Sequence, residues 1–177
     1  MLYLSKISAS SQTDGFMVNQ FLQTVGVMLI AKNLTVAFAE SATAGRVAAE
    51  FSLIEDAGKF LQGGIVCYDS KIKEDLLNVA PTLIAAYSAE SMQVTKAITH
   101  GLVPLIDAAI HIGITGLCTS GGSETATKPV GTMFIYALLK EELLFSERMN
   151  FKGTQEEIVL ATVHRCAALI TEGIHSI

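Results

Sequence analysis

The chain has 177 residues, half of them hydrophobic and 16% charged, with a net charge of −5. That length suits one domain with a sizeable core, and that composition excludes a disordered chain. The acidic balance and the lack of any basic block argue against a nucleic-acid partner. No apolar run reaches the roughly 18–20 residues of a membrane-spanning helix, so no membrane partner is expected. Three widely spaced cysteines (Cys67, Cys118 and Cys166) suggest reduced thiols and a cytoplasmic location. The four histidines are scattered without metal-ligand spacing, and no metal site is expected.

Residues 1–16 are Ser-rich, lack the apolar core of a secretory signal and read as a loose N-terminal tail; a single domain is expected over 17–177. Residues 17–31 place Val18, Phe21, Leu22, Val25, Met28 and Leu29 at helical spacing. A first strand is predicted at 34–39 and a helix at 45–54. Residues 63–68 are short, apolar and bounded by Gly and Asp, as in a buried strand. A short helix follows at 70–79 with Ser70 as candidate cap, then a segment at 82–87. Ser88 is the candidate cap of a longer helix reaching about residue 105. A strand at 109–115, a polar loop at 117–128, and strands at 130–139 and 142–151 joined at Lys140-Glu141 come next. The last helix is predicted at 154–174. Alternating strands and helices indicate a three-layer α/β/α sandwich, and the late hairpin makes the sheet mixed, mostly parallel.

In such sheets ligands gather at the carboxyl ends of the strands. Three loops leave strands here: residues 40–45, 68–73 and 116–123. In the first, Ser41 stands between a strand and a helix. It is either a nucleophile beside the free amides of the helix start, or, together with Thr43, simply a candidate N-cap, the commoner outcome for Ser and Thr. Lys73 is either a solvated surface lysine or a desolvated base for a serine hydroxyl. The run from Gly116 through Cys118, Gly121 and Gly122 to Ser123 is rich in backbone donors. It is a plain loop or an anion cradle, but not a Walker loop.

Taken together, five stretches resemble the CinA C-terminal domain family, whose active members are nicotinamide mononucleotide deamidases. They are Ala39-Glu40-Ser41-Ala42-Thr43-Ala44-Gly45; Gly63-Gly64-Ile65-Val66-Cys67-Tyr68 with Lys73; Tyr87-Ser88-Ala89-Glu90; Ile114-Thr115-Gly116; and Lys128-Pro129-Val130-Gly131-Thr132. The resemblance implies hydrolysis of a nucleotide carboxamide to a carboxylate with release of ammonia. It implies Ser41 as nucleophile, Lys73 as its base and Tyr68 beside them. Substrate-binding positions would be Thr43, Gly45, Thr115, Gly116, Gly121, Gly122 and Gln155. It implies a small-molecule nucleotide substrate and no cofactor. The apolar composition adds the expectation of a homo-oligomer.

Two departures from the family pattern stand out. Ala44 replaces a glycine, which is tolerable if its φ is negative. Gln155 and Val159 replace two arginines, and a glutamine lacks the charged fork that suits a phosphate. The alternative reading is therefore a divergent CinA-like paralogue that has lost the activity or binds another small ligand. A purely structural oligomeric partner is a third.

Overall fold

The computed structural model describes residues 9–175, with side chains from residue 20 onward. Helix α1 (Ala9–Ala31) contains the predicted segment and starts eight residues before it, within the stretch read as a tail; residues 1–8 of that tail lie outside the described residues. The chain continues through β1 (Val36–Glu40), α2 (Arg46–Ser52), a 3₁₀ turn (Ala57–Lys59), β2 (Leu61–Val66), α3 (Ser70–Leu77), α4 (Pro81–Tyr87) and α5 (Met92–Leu102). It ends with β3 (Ile110–Gly116), β4 (Thr132–Leu139), β5 (Glu142–Asn150) and α6 (Gln155–His175).

The five strands form one sheet in the order β2-β1-β3-β4-β5. β1 pairs parallel with β2 and β3, whereas β4 runs against both β3 and β5. Four strands thus point one way and β4 alone opposes them, the mixed sheet expected from the hairpin. The crossovers from β1 to β2 and from β2 to β3 are helical, as parallel neighbours require.

Strand alternation divides the core. Val36 and Phe38 of β1, with Ile110, Ile112 and Ile114 of β3, face the layer formed by α1, α2 and α6. Phe38 meets Phe51 of α2 edge-to-face at 5.0 Å, which ties the helix after β1 to the strand before it. Ala37 and Ala39 face the other layer, where Leu77, Val94, Ile98 and Leu102 pack. The side chains on that face are small because α5 comes very close. A Cβ on Gly113 would lie 2.2 Å from Thr99 Oγ1 and 2.7 Å from the Thr95 carbonyl.

The helix starts differ from the sequence reading in two places. Asp69, not Ser70, caps α3, its carboxylate accepting the Lys71 amide at 2.7 Å. Ser91, not Ser88, caps α5 by accepting the Val94 amide at 3.3 Å. Ser88 instead ends α4 with φ at 67°, ahead of the start of α5 at Met92, and its hydroxyl accepts from Lys128 Nζ. At α6, Thr154 and Glu157 form a reciprocal capping box: Glu157 Oε2 accepts the Thr154 amide at 2.7 Å and Thr154 Oγ1 accepts the Glu157 amide at 3.3 Å. These bonds hold the Glu157 carboxyl below its usual pKa.

Candidate active site at the carboxyl end of the sheet

β1 ends at Glu40, whose position in the alternation points it toward α2. The side chain is 1% exposed. Its Oε2 accepts from Thr43 Oγ1 (2.6 Å) and the Gly45 and Val47 amides (both 3.1 Å), and its Oε1 from the Ala48 amide (2.8 Å). Held by these four donors, the carboxylate satisfies amides at the helix start that have no partner within the helix. Glu40 therefore does the work assigned in sequence to a Ser or Thr cap. It also draws Thr43 and Gly45, both expected to bind substrate, into the scaffold. The sequence reading missed Glu40 as an individual residue. A charged side chain ending an apolar strand and followed by helix-start amides was the available signal.

The turn is strained. Ala44 has φ at 50° and Gly45 at 92°. Ala44 does not meet the condition of a negative φ set for an alanine at this position. Its Cβ is tolerated because the residue is exposed, but an L-residue in this region still costs about 1–2 kcal/mol. The Ala44 and Arg46 amides bond the Ser41 and Thr43 carbonyls at 3.0 and 2.9 Å. Among the described residues, the amides of Ala42 and Thr43 have no such acceptor, and they remain the open donors beside the serine.

Ser41 is 8% exposed, and its amide bonds the Ile114 carbonyl at 2.9 Å, which fixes it against the end of β3. Its hydroxyl makes no hydrogen bond to any described residue. It opens into a cavity of about 150 Å³ lined by Ala42, Tyr68, Glu90, Cys118 and the loop residues Gly116, Leu117, Thr119 and Gly122. Ligand pockets commonly span about 300–1,000 Å³, so this one is small for a whole drug-sized ligand. Cys118 is a packing residue as well as a wall: its Sγ is 3.7 Å from the Ala42 carbonyl, and burial raises the thiol pKa, so the thiolate is disfavoured.

Lys73 is fully buried, which removes the surface reading. Its Nζ donates to the carbonyls of Cys67 (2.6 Å) and Tyr68 (3.0 Å), just beyond β2, and makes no bond to Ser41. Burial lowers its pKa below the ordinary lysine value, while the charges of Cys67, Glu90 and Asp69 pull the other way. Tyr68 is 63% exposed and contributes its side chain to the cavity wall and its carbonyl to Lys73.

The remaining expected residues divide. Gly116 and Gly122 line the cavity. Gly121 turns the loop at φ 91°, its amide bonded to Glu124 at 2.7 Å. Thr115 is buried behind the wall: Thr95 gives its proton to the Ser91 carbonyl (2.7 Å) and so receives that of Thr115 (2.7 Å). Gln155 lies elsewhere, in an open hollow of about 560 Å³ that it shares with Thr43, Arg46, Thr154, Glu156 and Val159. Arg46 pairs there with Glu50 at 2.6 Å. Arg165 binds Glu147 at 2.9 Å and Glu172 at 2.8 Å and does not stand in for the missing arginine.

Glu90 is the second residue that the sequence reading did not single out. It follows α4 and enters the cavity from the turn before α5. Its Oε2 accepts a short hydrogen bond from Ser123 Oγ. Lys128 Nζ in turn donates to Ser123 Oγ (2.8 Å), Ser88 Oγ (2.5 Å) and the Glu90 carbonyl (3.0 Å), fastening the 117–128 loop to this turn. Among the described residues no group of His, Cys, Asp or Glu is placed to hold a metal ion, and no helix is long and apolar enough to cross a membrane.

Known proteins show the same architecture. A structure of competence damage-inducible protein A from Klebsiella pneumoniae superposes with a TM-score of 0.84 at 26% identity, covering 89% of this chain and 97% of that one. A CinA superfamily protein from another Klebsiella pneumoniae strain gives 0.83 at 28% identity, covering 89% and 98%. A CinA-like protein of Thermotoga neapolitana is 34% identical over 143 residues, 80% of this chain and 34% of the relative. One from Desulfotalea psychrophila is 31% identical over 153 residues, 86% and 37% respectively. The chain thus spans about a third of the length of the curated relatives it matches. The model of the CinA C-terminal domain matches residues 18–174, and the chain belongs to that family.

Proposed function

We propose that the protein is an amidohydrolase acting on a nicotinamide nucleotide, converting nicotinamide mononucleotide to the acid and ammonia. The observation that carries this reading is the unpartnered Ser41 hydroxyl in a small cavity at a strand exit, with a buried lysine beneath the adjoining wall. Ser41 Oγ attacks the carboxamide carbon, and the Ala42 and Thr43 amides receive the developing oxyanion. Lys73 exchanges one of its carbonyl bonds for the serine hydroxyl, takes its proton and returns a proton to the leaving ammonia. Water then releases the acid from Ser41. Burial of Lys73 supports this role, since it favours the neutral amine. Tyr68 closes the mouth of the cavity.

The remainder of the nucleotide extends beyond the cavity. Two neighbouring depressions receive it: the hollow bearing Arg46 and Gln155, or a groove of about 340 Å³ that shares Glu90 and holds Lys128 and Arg148. The reading includes a cytoplasmic location, in keeping with three free cysteines, and a homo-oligomer, in keeping with exposed Val27, Leu53, Val66 and Leu76. The second reading, a divergent paralogue taking another small ligand, rests on Gln155 and Val159, which leave the hollow without the family's arginines.

The test is ammonia release from nicotinamide mononucleotide by the purified protein and its Ser41→Ala variant. Turnover by the first and none by the second is the expected result. Absence of turnover from folded protein, where a working deamidase is active in parallel, favours the paralogue.

A further inference from the structure

The cavity at Ser41 has one charged side chain in its lining, and that charge is negative. The two lysines nearby direct their ammonium groups elsewhere. Lys73 directs its ammonium at two backbone carbonyls. Lys128 has three donors and directs them at two hydroxyls and one carbonyl. Neither bonds the Glu90 carboxylate. Ser123 gives its proton to Glu90 Oε2, while Oε1 has no hydrogen-bond partner among the described residues. The cavity lining thus includes Glu90, anchored through Oε2 and with Oε1 unbonded, together with Ser41 and with Ala42, whose amide has no acceptor.

A primary carboxamide complements this arrangement. Its carbonyl oxygen suits the Ala42 amide, and its NH₂ suits an acceptor. The carboxylate produced by hydrolysis has no proton to offer and carries a like charge, which is disfavoured in a partly desolvated site. We propose that Glu90 is the group that distinguishes amide from acid: its Oε1 accepts an N–H of the substrate carboxamide, and its charge expels the carboxylate product. This rests on the amidohydrolase reading above. Glu90 thereby makes the site resistant to its own product. The short bond from Ser123 and the Lys128 fastening keep the carboxylate aimed.

The experiment measures binding of nicotinamide mononucleotide and of nicotinic acid mononucleotide by calorimetry. It uses the full chain carrying Ser41→Ala, so that nothing turns over, with and without Glu90→Gln. With Glu90 present the amide should bind about ten-fold or more tightly than the acid, as expected for a hydrogen bond to a charged group. In Glu90→Gln that preference should fall to near parity. Ser123→Ala, which loosens the carboxylate but keeps its charge, should weaken amide binding while the acid stays rejected. If the glutamine variant unfolds, Glu90→Asp is used instead: it retains the charge and withdraws the acceptor, so amide binding should weaken while the acid stays rejected, and unchanged amide binding overturns the inference. An unchanged amide-to-acid ratio in folded Glu90→Gln overturns the inference and leaves the deamidase reading standing. So does an identical loss of preference in Ser123→Ala and Glu90→Gln. Failure of the Glu90 protein to bind either nucleotide overturns both.

Discussion

Two glutamates flank the turn that carries Ser41, and their surroundings are opposite. Glu40 is buried and holds four donors from one short segment. Glu90, in the cavity lining, has one oxygen tied to Ser123 and the other without a hydrogen-bond partner among the described residues. A carboxylate saturated with donors stabilises a fold, and one left with an unfilled acceptor is available to a ligand. The same residue type serves a structural purpose eight residues ahead of Ala48 and a recognition purpose across the cavity.

Substitutions can separate these parts. The largest expected effect is on turnover, not stability: Ser41→Ala should reduce ammonia release by about a thousand-fold or more while leaving the unfolding midpoint nearly unchanged. Next, Glu40→Gln should destabilise the protein by about 2–4 kcal/mol in urea unfolding, because an amide NH₂ replaces an acceptor among donors. Glu90→Gln should cost under about 1 kcal/mol in the same measurement. Equal losses at Glu40 and Glu90 would dissolve the contrast.

The pH profile sharpens it further. In the proposed mechanism Lys73 acts as a base when neutral, and burial lowers its pKa below the ordinary lysine value. Activity should therefore rise with pH through the lowered pKa and level off before an ordinary lysine would titrate. Stability follows the same sign: between the lowered folded pKa and the ordinary unfolded value the unfolded chain binds more protons, so folding gains as pH rises. A kcat/KM profile and unfolding midpoints across that range test both, and a profile that falls as pH rises contradicts the assigned role. The smallest expected effect is at Ala44→Gly, which should raise stability by about 1 kcal/mol by relieving the positive φ, measured by urea unfolding.

Much of this architecture was legible in the chain. The apolar runs ending at Glu40 and Tyr68, and the one through Thr115, identified three strands whose exits converge. Ser41 and Lys73 were recognisable from the family motifs they sit in. What was hidden depends on direction and partners. Whether Ser88 or Ser91 caps α5 turns on where α4 ends and α5 begins. Whether Thr115 meets a ligand turns on Thr95, twenty residues earlier. The role of Glu40 follows from strand parity carried one residue past the apolar run, and that of Glu90 from a turn brought alongside β3 by α5. Gln155 is adjacent to the nucleophile turn but opens into a different depression, which no spacing in the sequence reveals.

The close approach of α5 to Gly113 has a consequence for the chemistry at a distance. The Thr95–Thr115 bond and the Ser91 cap fasten the first turn of α5 to the end of β3, and Glu90 is the residue just before that cap. The width of the reaction chamber is thus set by the thickness of a helix–sheet contact deep in the protein. Adding a methyl group at Gly113, a position that never meets substrate, would lever α5 outward and carry the carboxylate away from the serine.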